Sequence, residues 1–206
     1  MNIIIFSGFL GSGKTSLILS LAHYIVDHEL DQEDPGKTNL LIIENEIGEI
    51  GIDDKVLKSG GYDVKELFAG CICCTLTADL TSSLNDIAEK VNPKWVIIEC
   101  TGLAYPSRIL DTLLKYGKGI ESTRSVSVVD SERWEELHEM ATILVESQVS
   151  EGNYVLINKV DLVTEEELQK VEECVKDLNP RAKQYKVTGN TGVSSDIWKE
   201  VTKLGE

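Results

Sequence analysis

The feature that most restricts this chain is the run Gly8-Phe9-Leu10-Gly11-Ser12-Gly13-Lys14-Thr15. It stands between the apolar stretch Ile3-Ile4-Ile5-Phe6 and the segment Ser16-Leu17-Ile18-Leu19-Ser20-Leu21, whose apolar residues recur at helical spacing. A short β-branched run, a glycine-rich bend and an amphipathic helix form the context in which such a loop holds phosphate. Gly8, Gly11 and Gly13 let the backbone bend without Cβ clashes, so successive N–H groups and the positive end of the helix face an anion. Gly11, Ser12, Gly13, Lys14 and Thr15 are therefore the expected nucleotide-binding residues. Lys14 is expected on the β- and γ-phosphates and the Thr15 hydroxyl on Mg²⁺.

The rest of the chain repeats the same alternation. Leu40-Leu41-Ile42-Ile43, Trp95-Val96-Ile97-Ile98, Ser125 to Val129, Asn153 to Ile157 and Lys183 to Val187 read as strands, with Tyr62 to Phe68 a weaker one. Helices are predicted over Lys14 to Asp27, from Thr75 through Ala88, over Pro106 to Tyr116, Glu132 to Glu146 and Thr164 to Leu178, with a short one near the end. Pro106 opens its helix, Ser131 is expected to cap the next, and Thr164 with Glu167 forms a capping box. The predicted inner faces carry Leu17, Leu21, Tyr24 and Ile25 in the first helix, and Ile109, Leu110, Leu113 and Leu114 in the one opened by Pro106. Strands alternating with helices over the whole length predict an α/β fold: a doubly wound, largely parallel sheet of about seven strands with helices on both faces. With 206 residues and no linker or repeat, a single domain over residues 1–206 is expected.

In open α/β sheets the ligand crevice lies outside the carboxyl ends of the strands, and several of these strands end in chemically specific residues. Glu44 begins the acidic loop Glu44-Asn45-Glu46-Ile47-Gly48-Glu49, expected to approach the phosphates and their Mg²⁺. Glu99 closes the strand Trp95 to Ile98 where a Mg²⁺-associated carboxylate is expected, and the N–H of Gly102 is placed to meet the γ-phosphate. Lys14, Thr15 and Glu99 are thus the candidate catalytic residues. Asn158-Lys159-x-Asp161 follows another strand, and a carboxylate at Asp161 can accept from both N1–H and N2–H₂ of guanine, which selects GTP over ATP. Thr188-Gly189, at the next strand end, is expected to close over the base through backbone groups.

Cys71-x-Cys73-Cys74 supplies three thiols within four positions, on a loop leading to a helix N-terminus where the thiolate is favoured. Such a set suits Zn²⁺, Co²⁺ or Cu⁺ and does not suit Mg²⁺. Buried structural cysteines and a redox-sensing loop are the alternative readings. Cys100 and Cys174 read as core or helix-face residues, and His23 and His28 as surface residues. The five cysteines are odd in number and poorly spaced for disulfides, so they read as reduced. Twenty basic against thirty-five acidic residues give a net charge of −15, which argues against nucleic acid and anionic membranes as partners. No apolar run approaches the ~20 residues of a membrane span, and a cytoplasmic protein is expected.

Taken together, GFLGSGKTS, ENEIGEIGID, GCICCTL, ECTGLAYP and NKVD, in this order, resemble the CobW-like metallochaperone GTPases, relatives of the nickel-insertion GTPases for urease and hydrogenase. The resemblance runs from about Asn2 to Thr191. It implies a GTPase that couples GTP/GDP state to holding a transition metal, zinc or cobalt, and handing it to a client metalloprotein or cobalamin-related enzyme. A homodimer is compatible with it. By the same resemblance Ser16 joins the phosphate and Mg²⁺ residues, Asn158, Lys159 and Asp161 bind guanine, Glu44 to Glu49 form a switch segment, and Cys71, Cys73 and Cys74 are the metal-binding cysteines. Two departures stand out. The family's usual smaller C-terminal domain is not expected within residues 1–206, and its usual arginine and glycine after the cysteines are Thr77 and Ala78. Leu103 follows Gly102 and no glutamine stands nearby to orient water, so slow intrinsic hydrolysis is expected. The rival readings are a nucleotide-gated loading factor for a cobalamin-dependent enzyme that binds no free metal, and a small-molecule kinase, against which Asn158-Lys159-x-Asp161 argues.

Overall fold

The computed structural model of the chain describes residues 1–30, 39–44 and 77–203. Among the described residues six parallel strands form one sheet: β1 (Asn2–Ser7), β2 (Leu40–Glu44), β3 (Trp95–Glu99), β4 (Ser122–Asp130), β5 (Tyr154–Asn158) and β6 (Lys183–Lys186). The helices are α1 (Lys14–His28), α2 (Thr77–Lys90), α3 (Pro106–Tyr116), α4 (Trp134–Met140), α5 (Thr142–Ser150), α6 (Glu165–Leu178) and α7 (Ser195–Thr202). The predicted strand at Tyr62 to Phe68 lies outside the described residues, and so does the start of its following helix at Thr75.

Spatial order in the sheet is β2-β3-β1-β4-β5-β6. Because side chains alternate across a strand, the continuous apolar runs coat both faces, as buried parallel strands require. Ile4 and Phe6 of β1 pack with Leu17, Ile18, Leu21 and Ile25 of α1 and with Trp198 and Val201 of α7. Ile3 and Ile5 turn to the other face, under Leu84 of α2 and Ile109 and Leu113 of α3. Beyond β4, Val155 and Ile157 meet Trp134 and Leu137 of α4, Val145 and Val149 of α5, and Val171 and Val175 of α6. The sheet is therefore covered on both sides, as the alternating pattern predicts.

Three local expectations are corrected. The single helix predicted over Glu132 to Glu146 is two helices, broken at Ala141, whose φ of −139° and ψ of 41° are not helical. The break lets α4 and α5 both turn their apolar residues to the same face of β5, and the side chains of His138 and Glu146 join the two helices at 2.9 Å. Ser131 does not cap α4; its hydroxyl donates to the carbonyl of Asn158 at 2.7 Å. Leu114, expected on the inner face of α3, is exposed, and of the four residues predicted for that face Ile109 and Leu113 are the buried ones. The capping box is as predicted: the Glu167 N–H donates to the Thr164 hydroxyl, and the Thr164 N–H to the Glu167 carboxylate at 2.8 Å.

Candidate functional site at the carboxyl edge of the sheet

The strand order fixes what surrounds the loop leaving β1. Its neighbours are β3 on one side and β4 on the other, so Glu99–Gly102 and Asp130–Arg133 flank it, with Asn158–Asp161 one strand further out. Chain connections diverge in direction at β1, the switch point at which such sheets open a ligand crevice.

The loop has the backbone its glycines predict. Gly8, Gly11 and Gly13 have φ of 139°, 78° and 93°, and a Cβ on Gly8 would come within 2.3 Å of the Val128 carbonyl. Ser12 is fully buried, and Ser16 is half-buried in the first turn of α1. Lys14 is buried too, with its ammonium donating to the carbonyls of Gly8 and Phe9 at 3.1 and 3.3 Å. Folding the lysine back over its own loop keeps that cation desolvated beside the phosphate cradle.

The Thr15 hydroxyl lies 3.2 Å from each carboxylate oxygen of Glu99. Two hard oxygen ligands from α1 and β3 thus converge beside the loop, a donor set that fits Mg²⁺. Glu44 closes β2 in register with Glu99; its side chain and the acidic loop beyond it lie outside the described residues. Gly102 is buried directly against the phosphate loop, where a Cβ would meet the Leu10 backbone nitrogen at 2.6 Å. Only glycine permits that approach. Its carbonyl and that of Ala104 both accept from the buried Gln148 amide at 3.1 Å. Beneath this corner burial pushes the Cys100 thiol up to about 12, with Lys14 opposing and Glu99 adding to the shift, so Cys100 stays an inert thiol.

Asn158, at the head of the NKVD segment, is fixed by two contacts of its side chain. Its amide donates to the Ser12 carbonyl at 2.8 Å, and its oxygen accepts from the Gly189 N–H at 2.9 Å. The side chain ties the phosphate loop to the loop after β6, where Thr188 bridges to Gly192. Lys159 adopts a left-handed φ of 63°, and its ammonium meets the fully buried Asp130 carboxylate at 2.7 Å. Asp161 is exposed on the short turn Val160–Leu162, free of the core and turned to solvent.

Sequence reasoning missed Asp130, Ser131 and Gln148. The first two were within reach of it, since Asp130 ends a buried strand and the strand-end rule applies to β4 as much as to β3. Gln148 carries no local signal, being one polar residue on a helix. Cys71, Cys73 and Cys74 lie outside the described residues; among the described residues no cluster of three metal-ligating side chains occurs. No helix among them is long and apolar enough to cross a membrane.

Residues 2–186 match the family model described as "CobW/HypB/UreG, nucleotide-binding domain". The zinc chaperone YjiA of Escherichia coli is 31% identical over 190 residues, covering 88% of this chain and 56% of that protein. The zinc-regulated GTPase metalloprotein activator 1 of Dictyostelium discoideum is 28% identical over 227 residues, covering 90% of this chain and 45% of that protein. The chain thus spans about half the length of the curated relatives it matches. Among solved structures, the Zn(II)-bound YjiA GTPase of E. coli superposes with a TM-score of 0.63 at 25% identity, covering 91% of this chain and 57% of that one. The hydrogenase maturation factor HypB of Archaeoglobus fulgidus gives 0.64 at 18% identity, covering 98% and 88%, a likeness of fold. By its sequence and by the parallel sheet that carries its phosphate loop, the chain belongs to the CobW/HypB/UreG nucleotide-binding family.

Proposed function

We propose that this chain is a GTP-hydrolysing metallochaperone domain that couples nucleotide state to binding a transition metal and delivering it to a client metalloprotein. The observation that carries the nucleotide half is the Asn158 side chain, which ties the phosphate loop at Ser12 to the guanine-type loop and to Gly189. Phosphate site and base site are thereby one rigid unit, with Asp161 on its rim.

In this reading Gly11, Ser12, Gly13 and Ser16 line the phosphates and Lys14 neutralises their charge. Thr15 and Glu99 hold Mg²⁺, which supplies further charge neutralisation to the polyphosphate when bound. Gly102 meets the γ-phosphate through its N–H, while Asp161 accepts from the guanine edge and Lys159 and Thr188 border the base. The exposed Leu103 offers no group to orient water, so turnover is slow, as suits a switch. Cys71, Cys73 and Cys74 take the metal, and Glu44 at the end of β2 opens the segment that joins the two ligands. The names of the relatives, zinc chaperones and zinc-regulated activators, favour zinc as the cargo.

The test is equilibrium binding of GTP, GDP and ATP, followed by Zn²⁺ and Co²⁺ titration of the GTP-bound protein and of Cys71→Ser and Cys73→Ser. Preference for GTP that Asp161→Asn weakens about 10- to 100-fold, the worth of a charge-assisted hydrogen bond, supports the nucleotide assignment. Metal binding lost in the serine variants supports the chaperone. Equal affinity for ATP and GTP sinks the first half; metal affinity unchanged by the serines sinks the second and favours a loading factor that binds no free metal.

A further inference from the structure

We propose that Arg133 is a phosphate-binding residue of the nucleotide site, supplied from the end of β4 and outside every nucleotide motif of the sequence. The proposal rests on the guanine-nucleotide reading above and adds to it a second protein cation besides Lys14. Because β4 is the neighbour of β1 on the side away from Glu99, the segment leaving its carboxyl end runs along the rim of the phosphate loop.

That segment is fixed at three points. The Asp130 carboxylate takes the Lys159 ammonium at 2.7 Å and also accepts the Arg133 backbone N–H at 3.3 Å. The Ser131 N–H and hydroxyl both donate to the Asn158 carbonyl, at 3.0 and 2.7 Å. The backbone of Arg133 is thus held against the same loop that carries Asn158 and Asp161.

The guanidinium then reaches back over the phosphate loop. Its Nη1 donates to the Leu10 carbonyl at 3.4 Å, and it lies 3.6 Å from where a Cβ on Gly11 would stand. Its Nε meets Glu136 at 3.3 Å. Two of the five N–H donors of an arginine are used in this way, and the others have no acceptor among the described residues. A planar, permanently charged fork with donors to spare, seated on the rim of a phosphate cradle, suits bidentate recognition of phosphate oxygens. Charge supports the same assignment. In a chain of net −15, Lys14 and Arg133 both lie against the phosphate loop, and the Glu136 partner of Arg133 is exposed, so solvent screens that pair.

A 3.4 Å bond to a carbonyl is long, and the competing role, a splint that only steadies Leu10, makes a different prediction. The test compares GDP and GTP affinity of the wild-type chain, Arg133→Ala and Arg133→Gln across a range of salt concentrations, with thermal unfolding as a control. Glutamine keeps a donor for Leu10 and removes the charge. Weakening of about 10- to 100-fold in both variants, with a shallower salt dependence than wild type, is the expected result. Affinity within twofold of wild type in Arg133→Ala, or its recovery in Arg133→Gln, overturns the proposal while the GTP reading stands. A wild-type chain that binds no guanine nucleotide overturns that reading and this proposal with it.

Discussion

The Thr15 hydroxyl is equidistant, at 3.2 Å, from the two carboxylate oxygens of Glu99, which joins the first turn of α1 to the end of β3 across 84 positions of sequence. The pair gains its geometry from the sheet: β3 lies beside β1 with Phe6 opposite Glu99, so the carboxylate is delivered to the point where α1 begins. Glu99→Ala is expected to lower the Mg²⁺-dependent rate of GTP hydrolysis about 10- to 100-fold, the usual cost of disturbing a metal's ligand shell. Single-turnover phosphate release at several Mg²⁺ concentrations checks it, and a rate equal to wild type at every concentration removes Glu99 from the site.

Asn158 and Gly13 are expected to act as one unit. Asn158→Ala leaves the Ser12 carbonyl and the Gly189 N–H without their partner inside the protein, at a cost of about 2 kcal/mol or more. Gly13→Ala requires an L-residue at φ 93° and puts a Cβ 2.4 Å from the Asn158 amide nitrogen, so it breaks the same tether. The double variant should be less destabilised than the sum of the singles, because groups in contact couple. Urea unfolding of the four proteins measures this, and strict additivity would show that the tether is not shared.

The capping box of α6 gives a pH-dependent contribution of known sign. Hydrogen bonds from the Thr164 N–H and hydroxyl, at 2.8 and 2.7 Å, hold the Glu167 carboxyl below its ordinary value of 4.5. A depressed pKa in the folded state means that stabilisation is complete above the unfolded value and fades as pH falls through the lowered folded value. The stability gap between wild type and Glu167→Gln should therefore be constant at neutral pH and close below pH 4.5. Thr164→Ala, which removes the cap itself, should cost about 1 kcal/mol. Denaturation midpoints at neutral and acidic pH test both, and a gap that widens on acidification contradicts the assignment.

Cys100 is buried next to Lys14 and Glu99 with its thiol pushed up to about 12. Almost no thiolate is present at pH 8, so iodoacetamide should leave Cys100 unmodified in the native protein and alkylate it once the chain unfolds. Peptide mass spectrometry of native and unfolded samples reads this out. Rapid alkylation of Cys100 in the native state would place it in an open, electropositive setting that its burial denies.

The sequence alone determined the element types, the phosphate loop and the chemically specific residues at the strand ends, because each of these is written in contiguous residues. A glycine-rich turn between an apolar strand and a helix, a carboxylate after WVII and NKVD after YVLI are local patterns, and local sterics and burial are enough to interpret them. Local pattern gives way to tertiary packing at two places. Leu114 has the helical spacing of a core residue yet is exposed on α3, and a continuous helical period conceals the break at Ala141.

What only the tertiary structure decided is which of these pieces touch. Asn158 reaches Ser12 across 146 positions of sequence and Arg133 reaches Leu10 across 123, contacts that exist because the strand order puts β4 beside β1 and β5 next in line. Strand order and register follow from the packing of both sheet faces at once, and no short window of residues contains that sum. For the same reason nothing in NKVD itself announces that the Asn158 side chain holds the phosphate loop and the loop at Gly189 together.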